Sequence, residues 1–592
     1  MIAVYILLAP PMDHKKLFPV FFVIALASFF LLAACQKQPG DFVSGFVTPQ
    51  GVRVEQLFSA DAFLIFKGGA SDQQQKDNLA ALGQKFPTDL WEKFYSGAAA
   101  EFEADFQKIG YSFKEDFLPA IMDAQLMISI DMPRNDSEDP DIFVAMLFAD
   151  PDKVEDMFRK SRENDQGKKQ SYKDHIIYGG GDSGSFITRH EDLFLVSNSL
   201  PHLKDVLDRT GVEGTLLAAP GYQQSIAKSG SHFAFVYVNE RNIIDSVSLD
   251  PRESQEMKKI SDSPLMKFVA AQQGEIYFLA AESDGIRING YSFADPEKLK
   301  NAGLDYTTFL NAPVYLYKNI PGDGVMLYSE SANFAASINS ILGMYEQHEE
   351  VMSFIAALRQ GLTAQGFDLD KDILGFMDKG YALTLADKGM LLPQVSLLFD
   401  ASSEPAGAKK FMAKVSEGAD YLVASILKES PQLETAMGTE KISDDEKMLF
   451  FDLGKLPREE ENVPEQVTAL NLQLRYGVDS SNLAYFDFRP SPLDGESGAL
   501  LPENEEFRKA MEMVPGYDRN LTYIDSGAVV EYLRRLVQFG ALEGEIDDQE
   551  MSNFEAVMSY IVPVRSIVFA ARQPLPHEME VGGFIHIDST TP

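Results

Sequence analysis

Short segments in which apolar and polar residues alternate are separated by longer stretches with a helical apolar stripe, and the same order of segments runs along the chain twice. In the first pass an apolar strand follows Ser59–Ala60–Asp61, and a polar helical stretch reaches to about Lys108. Next come Gly110–Pro119 (GYSFKEDFLP), Ile121–Met122–Asp123, the strand QLMISIDM, the strand Ile142–Phe148 and a helix starting at Asp150–Pro151. The second pass opens with Pro321–Tyr328 and continues helically to about Gln365. It then repeats the series as Gly366–Leu374, Phe376–Met377–Asp378, the strand YALTLAD, the strand Val395–Asp400 and a helix from about Glu404 to Val415. The match extends further, with Tyr222–Ile226, His232–Val238 and Asn239–Asp245 corresponding to Phe507–Met511, Leu521–Asp525 and Ser526–Leu533. Likewise Pro264–Ala270 and the hairpin after it correspond to Phe554–Ile561 and RSIVFAARQPLPHEMEVGGFIHI. Pairings repeated in one order predict an internal duplication, with domains over 51–312 and 313–592.

The strand segments are rich in Val, Ile, Phe and Tyr and are joined by Asp, Gly and Asn turns; FLAAES–DG–IRINGYSF reads as a hairpin about Asp284–Gly285. The pattern predicts an α+β fold, a duplicated unit of antiparallel β-sheet packed with helices on one face, rather than a doubly wound parallel sheet. At the helix after Ile142–Phe148, Asp150 can cap free N–H groups and Pro151 needs no donor there. Val154, Met157 and Phe158 then form the buried stripe.

Residues 1–34 follow a different pattern. Met12–Lys16 supply a short positive region, Leu17–Leu32 is almost wholly apolar, and Ala33–Ala34–Cys35 follows at once. This reads as a secretory signal peptide for which Met12 can serve as the start. Leu32–Ala33–Ala34–Cys35 resembles the lipobox of bacterial lipoproteins. The resemblance implies cleavage before Cys35 and lipidation of its thiol, the nucleophile to which a diacylglycerol is attached. Two acyl chains anchor stably where one does not. Residues 35–50, rich in Pro, Gly and polar groups, read as a tether. The implied place is extracytoplasmic on a bacterial membrane. It is the outer membrane where there is one, because Gln36 rather than Asp follows the cysteine, and otherwise the outer face of the cell membrane.

Four features together resemble the family known as domain of unknown function 3352 (DUF3352), bacterial proteins that are secreted or lipid-anchored. They are the opening strand near Asp61, Lys114–Glu115–Asp116–Phe117–Leu118–Pro119, the paired strands before Asp150–Pro151–Asp152–Lys153–Val154, and Leu216–Leu217–Ala218–Ala219–Pro220 ahead of HFAFVYV. The resemblance covers 50–300 well and 315–590 less well, which implies two tandem copies. The family carries no established catalytic residues, so it transfers no chemistry to these positions.

Composition narrows the function classes. Acidic residues outnumber basic ones 89 to 52, for a net charge of -37, and such a surface repels nucleic-acid phosphates. A single cysteine excludes an intrachain disulfide and any multi-cysteine metal site. Gly181–Asp182–Ser183–Gly184–Ser185 resembles the nucleophile segment of trypsin-like proteases, but Ser185 replaces the last glycine and His175 lies close upstream instead of far away with a separate Asp. The segment reads as a turn between the strands HIIYGG and SFITRH. Asp368, Asp370 and Asp372 have the opening spacing of a calcium loop, yet Ile373 stands where its glycine belongs and Lys379 where its glutamate belongs. An acidic helix start is the better reading. None of the post-leader histidines pairs at i,i+4; His577 and His586 share a hairpin with only Glu578 and Glu580 near them. Trp91 reads as core, and Arg162–Lys169 as a solvated loop. No catalytic residue, cofactor-binding residue or metal ligand is predicted, and no cofactor.

Two classes of function remain. The first is a non-enzymatic binding or scaffolding module of the cell envelope, membrane-bound through its lipid and suited by its acidity to cationic partners. The second is a carrier of a lipid or other hydrophobic ligand, since half-open sheets under helices can enclose apolar cargo. The 42 Phe and 22 Met residues suit such a cavity as well as plain cores. A hydrolase ranks third.

Overall fold

The computed structural model describes residues 53–588 except 70–71, 88–102, 105, 118, 121–123, 132–139, 165–167, 180–184, 210, 240–262, 311, 345–348, 457–469, 491–498, 543–545 and 547. The signal segment, Cys35, the tether, Trp91 and the Gly181–Gly184 turn lie outside the described residues. Those described form two compact units, one from 53–239 with 272–293, the other from 263–271 with 294–588.

The first unit contains the strands β1 (Leu64–Gly68), β2 (Gln125–Asp131), β3 (Asp141–Leu147), β4 (Lys168–Tyr172), β5 (His175–Gly179), β6 (Phe186–His190), β7 (Leu193–Ser197), β8 (Ala234–Val238), β9 (Gln272–Glu282) and β10 (Gly285–Ala294). Their pairing order is β4-β5-β6-β7-β3-β2-β1-β8-β9, antiparallel throughout, with β10 paired to β9 across the predicted turn. The second unit contains β11 (Val325–Ala332), β12 (Gly380–Ala386), β13 (Gln394–Asp400), β14 (Met437–Lys441), β15 (Glu446–Asp452), β16 (Asn471–Val478), β17 (Leu483–Arg489), β18 (Arg519–Asp525), β19 (Val564–Leu575) and β20 (Glu578–Ile587). It pairs as β14-β15-β16-β17-β13-β12-β11-β18-β19-β20, again antiparallel throughout. The fold is therefore α+β with extensive antiparallel sheet, as the alternation predicts.

Local chemistry accounts for several boundaries. Helix Pro151–Asn164 begins where Asp150 accepts a hydrogen bond from the Lys153 N–H, and it buries Val154 and Met157. Of the predicted loop Arg162–Lys169, residues 162–164 close this helix and Lys168–Lys169 open β4, while 165–167 lie outside the described residues. Helix Pro405–Glu429 runs well past Val415, because Ala419 and Val423 continue the apolar stripe and no proline intervenes before Pro431. Helix Gln73–Gly83 docks on β9 through the Gln75 amide: its oxygen accepts from the Ala281 N–H at 2.7 Å and its NH2 donates to the Ala281 carbonyl. A side chain thus takes the role of a neighbouring strand at that residue.

The cores are filled with aromatic side chains. In the first unit Phe58, Phe143, Tyr222, Phe235, Tyr237 and Phe278 are fully buried, with the Phe58 and Phe143 rings 5.0 Å apart. In the second, Tyr328, Phe507 and Tyr523 belong to one cluster, and Phe376, Phe399 and Tyr476 to another. Each such ring contributes roughly 1.5–3 kcal/mol by burial. Charge is buried too. Lys67 on β1 is held with its pKa pushed down by burial and pulled back up by Glu55. Glu330 on β11 accepts from the Tyr315 and Leu316 N–H groups, at 2.6 and 2.9 Å, and from the Tyr328 hydroxyl.

Gly274 on β9 has φ +105, and a Cβ there would lie 2.6 Å from the ring of buried Tyr237. Gly110 has φ +81 but open space around it. Gly110→Ala should therefore cost only the left-handed strain, about 1–2 kcal/mol. Gly274→Ala adds overlap and should cost about 2–5 kcal/mol. Denaturant midpoints of the two variants measure the difference.

Candidate functional site

β4 to β7 form a meander whose tight turns require left-handed backbone, supplied at Lys173 (φ 49) and Glu191 (φ 56). Between this meander and helix Pro151–Asn164 lies a cleft of about 420 Å³, with Phe158 and Arg159 on the helix side and His175, Ile176, Thr188 and Arg189 on the strand side. The Arg189 guanidinium donates to Asp152 and Glu155 of the helix, at 2.7 and 2.6 Å, and to the Glu191 carbonyl at 2.6 Å. It ties β6 to the helix and neutralises its own charge locally.

The register pairs Tyr178 with Ile187 and Gly179 with Phe186, and its continuation sets His175 opposite His190. The two rings meet, with centroids 5.1 Å apart and Nε2 of His175 3.4 Å from Nδ1 of His190. Nδ1 of His175 lies 3.2 Å from the Arg189 carbonyl oxygen. Burial, and then the neighbouring His175, hold the His190 imidazole below its ordinary pKa, so it is neutral at pH 7. No spacing rule flags this pair along the chain. The signal available was the hairpin itself, since two strands written HIIYGG and SFITRH around one turn place their outer histidines opposite each other.

The aspartates of the calcium-like spacing are turned to separate partners. Asp368 caps the helical turn Leu369–Ile373, accepting from the Asp370 and Lys371 N–H groups at 2.9 and 3.0 Å. Asp370 pairs with Arg359 at 3.0 Å. Asp372 accepts from the Asp368 N–H at 2.9 Å and from Lys410. The same arrangement occurs in the first unit, where Asp116 in the turn Phe113–Phe117 accepts from the Ser112 N–H at 2.9 Å and from Lys153 at 2.8 Å. In both units a carboxylate thus fastens an irregular turn to the helix that follows the β2–β3 or β12–β13 pair. His577 and His586 lie near different carboxylates, Glu578 at 3.9 Å and Glu506 at 3.4 Å. Buried His202 lies 3.6 Å from Asp131 and 3.9 Å from Asp141. Among the described residues no three His, Cys, Asp or Glu side chains converge as metal ligands. No helix among them is long and apolar enough to cross a membrane.

Compared with known proteins, residues 73–420, more than half of the chain, match in one continuous stretch the model of a family described as "Protein of unknown function (DUF3352)". No curated protein and no solved structure matches the chain.

The lysine hydrogen bond, followed by the turn N–H, holds both Asp116 and Asp372 below the usual carboxylate pKa. A lowered carboxylate pKa contributes stability that is present above the unfolded value and lost as pH falls through the folded one. Asp116→Asn and Asp372→Asn should therefore be less stable than the parent at neutral pH. Below about pH 4 the difference should shrink as the parent's aspartates protonate. Urea unfolding at several pH values and constant ionic strength measures both effects.

Proposed function

We propose that this chain, which belongs to the DUF3352 family of proteins of unknown function, is a lipid-anchored, non-enzymatic binding or scaffolding module of the bacterial cell envelope. The observation that carries the reading is how the interior is occupied. Among the described residues, packed aromatic and aliphatic side chains form the core clusters of both units. The cleft beside β5 and β6 is lined in part by ionised groups, including Arg189 with its carboxylate partners. A hydrocarbon tail in that cleft would separate these charges from water and from one another at a cost of several kcal/mol.

The anchor in this proposal is Cys35, supported by the Leu32–Ala33–Ala34–Cys35 segment behind a basic and apolar leader. Residues 35–50 serve as the tether, and the chain faces away from the membrane that holds it, the outer membrane where the cell has one. The body is a duplicated unit in two tandem copies, near 51–312 and 313–592. Support comes from the shared strand-pairing order and from the recurring Asp–turn–Lys link at Asp116/Lys153 and Asp372/Lys410. Net charge -37 favours cationic partners and disfavours nucleic acid.

Two measurements test this. Metabolic fatty-acid labelling should mark the parent and be lost from Cys35→Ser; labelling that persists in the variant defeats the anchor. Native mass spectrometry of protein released gently from its own membrane should show the lipidated chain alone or with a protein partner. A stoichiometric lipid or small molecule beyond the covalent anchor would replace this reading with that of a carrier.

A further inference from the structure

We propose that His175 and His190 form a binding site for one divalent transition-metal ion of the zinc, nickel or copper class, at the edge of the cleft that His175 lines between β5, β6 and helix Pro151–Asn164. The inference rests on the geometry of this hairpin and is independent of where the chain is anchored.

The distance is the first support. Two imidazole nitrogens that each bind a metal at about 2.0–2.1 Å, with a tetrahedral angle between them, stand about 3.3–3.4 Å apart. Nε2 of His175 and Nδ1 of His190 are 3.4 Å apart. For a neutral hydrogen bond this separation is long; for two ligands of one ion it is the required bite. The second support is the tautomer. Nδ1 of His175 faces the Arg189 carbonyl oxygen at 3.2 Å, which assigns the proton to Nδ1 and leaves the Nε2 lone pair directed at His190. A backbone carbonyl holding the distal N–H is the usual way a metal-ligating histidine is oriented.

The third support is rigidity and charge. His175 is also paired with Tyr172 of β4, and His190 with Leu193 of β7, so both ligands are placed by strands bonded on two sides. The nearby cation Arg189 is already met by Asp152 and Glu155, while Asp174 and Glu191 line the same cleft. A divalent ion would find negative surroundings there. Two histidines leave the remaining coordination positions to water, and imidazole donors suit zinc, nickel and copper better than magnesium or calcium. The matching hairpin of the second unit, β15–β16, has no histidine, so the pair is a feature of the first unit's hairpin and is not repeated there.

The test uses the untagged full-length chain in detergent, stripped with chelator and titrated calorimetrically with Ni²⁺ and with Zn²⁺. One ion per chain is expected, with affinity reduced at least tenfold in both His175→Ala and His190→Ala and unchanged in His577→Ala. Circular dichroism confirms folding of the variants, and His175→Gln and His190→Gln replace any alanine variant that fails to fold. With Cu²⁺, electron paramagnetic resonance should show nitrogen coupling in the parent that is weakened when either histidine is replaced. Absence of binding to the folded parent overturns the proposal, as does binding that the His175 and His190 variants leave unaltered, which would mark adventitious ions on the acidic surface.

Discussion

Each unit depends on one short strand in the middle of its ladder. β1 is held between β2 and β8, and β11 between β12 and β18; the other strands extend outward from these pairs. A central strand is covered on both edges and most of its faces, so a polar side chain on it has to find partners inside the protein. The units meet that demand with opposite charges. Lys67 lies in the field of Glu55 and within 5.8 Å of the Phe235 ring centroid, while Glu330 is cradled by backbone N–H groups and a tyrosine hydroxyl. Removing one member of such an arrangement strands a buried charge, which is far more damaging than replacing the whole set by apolar residues.

Much of this architecture was legible in the sequence, for local reasons. The Asp150–Pro151 helix start and the hairpin between Glu282 and Gly285 each follow from residues within a few positions of one another. The antiparallel α+β class follows from strand alternation and short turns. What escaped was set at a distance. Helix Pro405–Glu429 packs on β14 and β16, contacts that add to the apolar stripe carrying it past Val415. The Asp372–Lys410 and Asp116–Lys153 links join residues that motif spacing treats as unrelated.

The candidate site shows the same division. Sequence spacing drew attention to serine, aspartate and histidine sets that the fold either disperses to separate partners or carries outside the described residues. The pair that does converge, His175 and His190, is brought together by strand register, which is a property of the hairpin and of no linear motif. Registers are fixed by turn geometry and by which face is buried, so a histidine pair of this kind becomes visible only once both strands and their turns are placed.

The central position of β1 also governs the order in which the first unit can form. Its two neighbours are β2 and β8, and the second of these lies far along the chain at Ala234–Val238. At ribosomal rates of roughly 5–20 residues per second, β8 emerges on the order of ten seconds after β1. Throughout that interval Leu64–Gly68 has at least one open edge, a strand seeking a partner in a chain whose contacts are largely nonlocal and therefore slow to close. Until β8 is available the ladder around β1 cannot close, so a strand late in the chain decides when folding of the first unit is complete.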